Sequence, residues 1–263
     1  MARRVGKRKM PDIALYKLKE YEKTEGGVFD KQAMLYLSKL FNAGIISKLE
    51  HPVARGKEAD IYIADAGKSD KVRGNYVAVK FFRVETSSFS SMTDYIVGDE
   101  RFSRIRSSKR FIVSTWCKKE YGNLRIAQSA GVPVPSPYMF SGSVLAMEFI
   151  GDNGGTPAPM LKDVELDDPS AALDEIIADI GKLYNYRLIH ADMSEYNILV
   201  KEGRLYVIDF GQAVTIKHPN AMPFLMRDIS NICSYFYKRY GIERDPKQIF
   251  EKIAGKAEAD AVF

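Results

Sequence analysis

The sequence predicts an α+β fold of two lobes, the first rich in β-strand and the second mainly helical. Three observations predict it. Apolar and aromatic residues alternate with period two through residues 61–65 (IYIAD) and 76–82 (YVAVKFF), with turn signals at Gly67, Gly74 and Asn75. A run of linker composition, residues 151–159 (GDNGGTPAP), interrupts the chain midway. Beyond it the apolar residues fall at helical spacing, as in Leu173, Ile176, Ile177, Ile180, Leu183 and Tyr184. With 263 residues, 46% hydrophobic and 28% charged, the chain can bury a core large enough for two packed lobes.

In chain order, residues 1–10 carry five basic and no acidic side chains, which suits either a contact with nucleic acid or a solvated tail without partner. Phe29, Met34, Leu37, Leu40 and Phe41 have helical spacing, and Gly44 stands where that helix must stop. Residues 1–45 therefore form a basic tail and helical prefix, and residues 46–150 the first lobe. Within that lobe, residues 84–110 lose periodicity and carry a serine-rich run followed by five basic residues, so they are expected to be a flexible insert. Residues 111–130 read as a helix stopped by Gly131, with Pro133 beyond. On one stripe of it lie Trp116, Glu120, Leu124 and Ala127. A carboxylate on an apolar stripe costs several kcal/mol unless it is paired, so Glu120 demands a cation from elsewhere. Residues 144–150 (VLAMEFI) form a buried strand and 151–159 the linker. Residues 160–263 make the second lobe, with helices near 168–187, 223–240 and 246–257.

Composition excludes several classes. The net charge is only +5, modest for a polyanion-binding domain, and the two cysteines, Cys117 and Cys233, cannot make a disulfide framework, which favours a reducing, intracellular setting. No secretory core follows the basic start. The longest uncharged run, residues 126–147, is broken by Gly131, Pro133, Pro135, Pro137 and Gly142, so no membrane span is expected.

The chemistry concentrates in residues 188–212, LIHADMSEYNILVKEGRLYVIDFGQ. Residues 197–201 and 204–209 flank the two-residue turn Glu202-Gly203 and should form a hairpin that pairs Lys201 with Arg204 and Asn197 with Ile208. Asn197 and Asp209 then emerge at one end of the hairpin, with Asp192 in the loop before it. Three oxygen-bearing side chains in one place suit Mg²⁺ (or Mn²⁺) held by one or two protein groups and phosphate oxygens.

The spacing D-x-x-x-x-N followed by D-F-G resembles the catalytic and metal-binding loops of protein kinases, with Asp192 as base and Asn197 and Asp209 as metal ligands. Val77-Ala78-Val79-Lys80 resembles the strand whose lysine contacts the nucleotide phosphates and pairs with a helix glutamate, a role that Glu120 fits. Met147, Glu148, Phe149 and Ile150 resemble the hinge that binds adenine through its backbone. The usual G-x-G-x-x-G loop is missing, and Gly56-Lys57-Glu58-Ala59 stands in its place, with Gly56 permitting close approach to a phosphate and Lys57 supplying charge. No A-P-E follows Asp209, and the residues after it are too few for the full peptide-docking helices of an ordinary kinase.

Together G-K-E-A-D-I-Y, I-H-A-D-M-S-E-Y-N-I-L, I-D-F-G-Q and F-L-M-R-D-I-S-N-I resemble the RIO family of atypical serine protein kinases. The short prefix places the chain with the first subfamily, which lacks an amino-terminal winged helix, in its archaeal type. The resemblance implies a protein-kinase-like two-lobed fold, ATP and Mg²⁺ as cofactors, serine autophosphorylation and ATPase activity. It also implies a cytoplasmic, monomeric protein whose partners are the pre-ribosomal small subunit and its rRNA. By the same resemblance Asp228 braces the catalytic loop. Two other readings stand beside it: a small-molecule phosphotransferase of the aminoglycoside or choline kinase type, and an RNA-binding assembly factor that uses ATP only as a switch. The seven basic, acid-free residues between Arg101 and Lys119 favour the switch reading. Autophosphorylation is expected in the insert, at Ser103, Ser107 or Ser108.

Overall fold

The computed structural model describes residues 31–84, 89–102 and 108–255. The basic tail, Ser103, Ser107, Arg104 and Arg106 lie outside the described residues. Helix α1 (Lys31–Asn42) leads into strands β1 (Ile46–Arg55), β2 (Ala59–Ala66) and β3 (Tyr76–Phe82). Helix α2 (Phe89–Val97) and a 3₁₀ turn (Glu100–Phe102) precede the long α3 (Lys109–Ser129), and β4 (Pro137–Ser141) and β5 (Val144–Glu148) complete the first lobe. The second lobe holds α4 (Pro169–Asn185), β6 (Leu188–Ile189), β7 (Ile198–Lys201), β8 (Arg204–Val207), β9 (Val214–Thr215), α5 (Ala221–Tyr240) and α6 (Pro246–Ala254).

The first lobe is an antiparallel sheet in the order β1-β2-β3-β5-β4. Prolines fall only on its edge strands, Pro52 in β1 and Pro137 at the start of β4, where a missing N–H costs no ladder bond. Strand β3 is central, and its alternation sorts its residues between two cores. Val77, Val79 and Phe81 join Leu37 and Leu40 of α1 on one face. Ala78 and Phe82 point the other way, into a larger core that runs past Trp116 of α3 and on through Ile176, Ile229, Phe236 and Phe250 of the second lobe. Lys80 shares that inner face.

Within the insert, residues 84–110, the expected lack of regular structure does not hold at 89–97, while residues 85–88 and 103–107 lie outside the described residues. Residues Phe89–Val97 form a helix, because Met92 and Ile96, one turn apart, are buried, and Tyr95 stacks on Phe224 at 5.3 Å and meets Trp116 edge-on at 6.1 Å. The aperiodic serines around them hide this short apolar repeat. The expected cationic patch is also smaller than the sequence suggests. Arg101 is tied to the buried Asp99 through Nε at 2.8 Å, and Lys119 is fully buried.

The segment after β5 is closed on itself. Ala158 N donates to Ile150 O, and the Asp152 carboxylate accepts from Gly154 N and Thr156 N. It then lies against the hairpin, where Val200 N donates to Pro159 O. Among the described residues no helix is long and apolar enough to cross a membrane.

Candidate active site

The β7–β8 hairpin is built as its turn requires. Glu202 (φ 51°) and Gly203 (φ 75°) are both left-handed, the signature of the tight turn whose twist matches a β-ribbon. Lys201 pairs with Arg204, and the ladder continues beyond β8 because Ile208 N donates to Asn197 O at 2.9 Å. Asn197 and Asp209 thus leave the same end of the ribbon.

Asp192 approaches them from the preceding loop. The Asn197 amide donates to the Asp192 backbone oxygen (2.8 Å) and to its carboxylate (3.0 Å), and Gln212 adds a third contact at 3.3 Å. Since the Asn197 nitrogen is spent on Asp192, its oxygen is the atom able to face a cation. The Asp192 carboxyl is raised from its ordinary range, first by burial and then by the charge of Asp209.

Lys80 joins this end of the molecule from β3. Its ammonium donates to both oxygens of Glu120 at 2.9 Å and to Asp209 at 3.0 Å. The side chains of Lys80 and Glu120 are 7% and 1% exposed, whereas that of Asp209 is 48% exposed and so faces the cleft. Burial alone would lower the lysine's pKa, but the two carboxylates outweigh it and hold the ammonium charged. Desolvation likewise pushes the Asp209 carboxyl up, yet Lys80 beside it wins and the net shift is downward.

Two non-glycine residues of the site, Ala191 (φ 64°) and Asp209 (φ 61°), sit in the left-handed region, which costs on the order of 1 kcal/mol each for L-residues. Their surroundings hold them there. The buried Asp228 carboxylate accepts from Ala191 N (2.7 Å) and Met193 N (2.9 Å), while Arg227 donates to Ala191 O. At Gly211 any side chain would meet Trp116, since a Cβ there would stand 2.8 Å from the indole nitrogen. Four residues of this framework, Lys119, Asn123, Gln212 and Arg227, are ones that sequence reasoning missed. For Lys119 and Asn123 a signal existed: they lie four apart on the stripe that holds Trp116 and Glu120, polar groups where packing alone would place apolar ones.

The remaining sequence candidates lie at the rim. Gly56, Lys57, Glu58 and Ala59 form a tight turn between β1 and β2, with Gly56 N donating to Ala59 O at 2.9 Å. Glu58 offers its carbonyl to Arg83 N, and so ties the turn to the end of β3. Met147 and Glu148 end β5, where Met147 pairs with Ala78, and the Glu148 carboxylate accepts from Ser136 N; Phe149 and Ile150 follow.

As to a divalent cation, the donor set is one amide oxygen and one ionised, half-exposed carboxylate. No group of three or more His, Cys, Asp or Glu among the described residues forms a closed metal site. An open pair of hard oxygens fits Mg²⁺, which keeps water and takes phosphate oxygens for the rest of its shell.

Residues 60–249 match the family model for the RIO domain. The chain belongs to the RIO family. A RIO-type serine/threonine-protein kinase Rio1 of Haloferax volcanii is 36% identical over 258 residues, covering 97% of this chain and 87% of that relative. Its counterpart in Thermoplasma acidophilum is 46% identical over 181 residues, 69% of this chain and 95% of that one. The chain is thus a RIO protein kinase of the Rio1 branch, and as a kinase it uses ATP. The kinase-like α+β fold is shared with a solved structure, the Rio2 kinase–ADP/Mg²⁺–phosphoaspartate complex of Chaetomium thermophilum. That structure is 22% identical, superposes with a TM-score of 0.66, and is matched over 93% of this chain and 77% of that one.

Proposed function

We propose that this RIO kinase transfers the γ-phosphoryl group of ATP to serine hydroxyls, its own among them, with Mg²⁺ as the metal. The observation that carries the reading is the convergence of Lys80, Glu120 and Asp209 within 3.0 Å contacts beside the Asp192–Asn197 pair. Lys80, oriented by Glu120, neutralises nucleotide phosphates. Asn197 and Asp209 hold the cation, which offsets charge developing on the phosphoryl oxygens when bound. Asp192 accepts the seryl proton as the serine oxygen bonds to phosphorus and the bond to ADP breaks. The turn Gly56–Lys57–Glu58–Ala59 covers the phosphates, and the backbone of residues 147–150 holds adenine. The family supports a role in maturation of the small ribosomal subunit in the cytoplasm.

Two variants test the division of roles. Asp192→Ala should lose roughly 10²- to 10⁴-fold in phosphoryl transfer while ATP still binds. Asp209→Ala should instead lose Mg²⁺-dependent nucleotide binding. Isothermal titration with Mg-ATP reads both, and equal loss of binding in the two would defeat the assignment.

A second reading, ATP hydrolysis as a switch, is favoured by the half-exposed Asp209 carboxylate and by the phosphoaspartate of the Chaetomium thermophilum Rio2 complex. In it an aspartate oxygen bonds to the γ-phosphorus, ADP leaves, and water then hydrolyses the acyl phosphate. Hydroxylamine releases an acyl phosphate and spares phosphoserine, so the stability of the protein-bound phosphate separates the readings.

A further inference from the structure

Helix α3 carries two polar side chains that the roles above leave unused. The Lys119 Nζ, fully buried, donates to Gly211 O at 2.8 Å and Ala213 O at 2.6 Å, and stands 5.1 Å from the centre of the Trp116 ring. Two of its protons are thereby placed on carbonyls, and burial lowers its pKa from 10.5 to about 7. One turn on, the equally buried Asn123 amide donates to Phe210 O and Ala213 O, both at 2.9 Å. Its own Oδ1 is buried without a partner. Packing alone does not account for such a pair. A buried amino group and an orphaned amide oxygen both carry a desolvation penalty that a methionine or leucine would avoid.

What the pair holds is the backbone immediately after Asp209. Carbonyls of residues 210, 211 and 213 all turn toward α3, which orients the peptide planes that carry Asp209 out of its left-handed conformation. The same helix presents Glu120, next to Lys119, to Lys80, and Lys80 reaches back to Asp209. The contacts close a ring, from β3 to α3 to the 209–213 loop and back to β3.

We infer that Lys119 and Asn123 are positioning residues, which aim the Asp209 carboxylate at the cation by clamping its loop to the Glu120 helix. The helix and the metal-binding loop then move as one body, and Glu120 cannot shift relative to the 210–213 backbone without tearing four hydrogen bonds. The inference rests on the reading of Asp209 as a cation ligand.

The test uses the intact chain with Lys119→Met and Asn123→Leu, and Asp209→Asn as the control for that reading. A fluorescent ATP analogue is titrated at increasing Mg²⁺, and acrylamide quenching of Trp116, the single tryptophan of the chain, reports the loop against α3. We expect the Mg²⁺ concentration at half-maximal binding to rise about tenfold or more in both clamp variants, at temperatures where circular dichroism shows them folded, while Mg²⁺-free binding holds. Quenching should increase in Asn123→Leu. If Asp209→Asn abolishes the Mg²⁺ dependence but both clamp variants keep the parental midpoint, the clamp is overturned and the cation reading stands. If Asp209→Asn leaves the dependence intact, the cation reading itself falls. Should Lys119→Met not fold, Asn123→Leu decides, since it removes only a neutral amide of similar size.

Discussion

His190 shows how much one residue's surroundings dictate. Its ring is buried, packs edge-on to Phe210 at 4.7 Å, and lies 3.0 Å from Ile208 O, so Nε2 carries the proton and the ring is neutral. Burial lowers its pKa from 6.5 to about 4. The unfolded chain therefore binds more protons than the folded one between those values, and stability must fall as pH drops through that window. The loss is on the order of 3 kcal/mol once pH is below both values. Thermal melts from pH 7 to pH 4 on the parent and His190→Gln should show a shallower decline in the variant, and parallel curves would refute this account. Glu120 gives a second test. Glu120→Gln leaves Lys80 buried with Asp209 as its one remaining carboxylate, and should cost roughly 3 kcal/mol, the scale for breaking a buried ion pair. Urea unfolding measures it, and a change below about 0.5 kcal/mol, within the range of ordinary surface substitutions, would mean that the pair does not hold α3.

Among the elements, α3 begins at a capping serine. Ser108 caps the helix by accepting from Phe111 N at 3.3 Å, and it is the one candidate acceptor serine within the described residues. Ser108→Ala should cost about 1 kcal/mol in stability and reduce phosphate incorporation, whereas Ser108→Asp should keep the cap because a carboxylate suits a helix amino terminus. Mass spectrometry and melting curves read the two effects separately, and undiminished labelling of the alanine variant would place the acceptor elsewhere. What was legible in the sequence follows from range. The β7–β8 hairpin could be read because its turn, register and ends are local. The Lys80–Glu120 pair, 40 residues apart, could be read because a carboxylate on an apolar stripe requires a cation. Helix α2 could not, since its burial is supplied by rings of α3 and α5 that no local pattern announces. The Lys119 and Asn123 contacts escaped because their partners are main-chain carbonyls, which every residue has and no sequence distinguishes.

At the scale of the whole molecule, the two cores divide labour. The one between α1 and the sheet contains none of the site residues, while the other passes beneath Lys80 and Glu120 into the second lobe. Helix α2 crosses between lobes on the flank of that second core. Tyr95 stacks on Phe224, its hydroxyl lies 3.5 Å from Arg227, and Glu100 pairs with Lys217 at 3.0 Å. Tyr95→Ala should cost about 2 kcal/mol, by loss of aromatic contacts at a half-buried position. Hydrogen exchange should then rise together in residues 89–97 and 217–227, and a rise in only one of them would show that they are not joined. Any motion that carries α2 away from α5 must part the ring of Tyr95 from that of Phe224. The grip of one lobe on the other can thus be tuned by altering a ring rather than a charge, at a distance from Lys80 and Asp209.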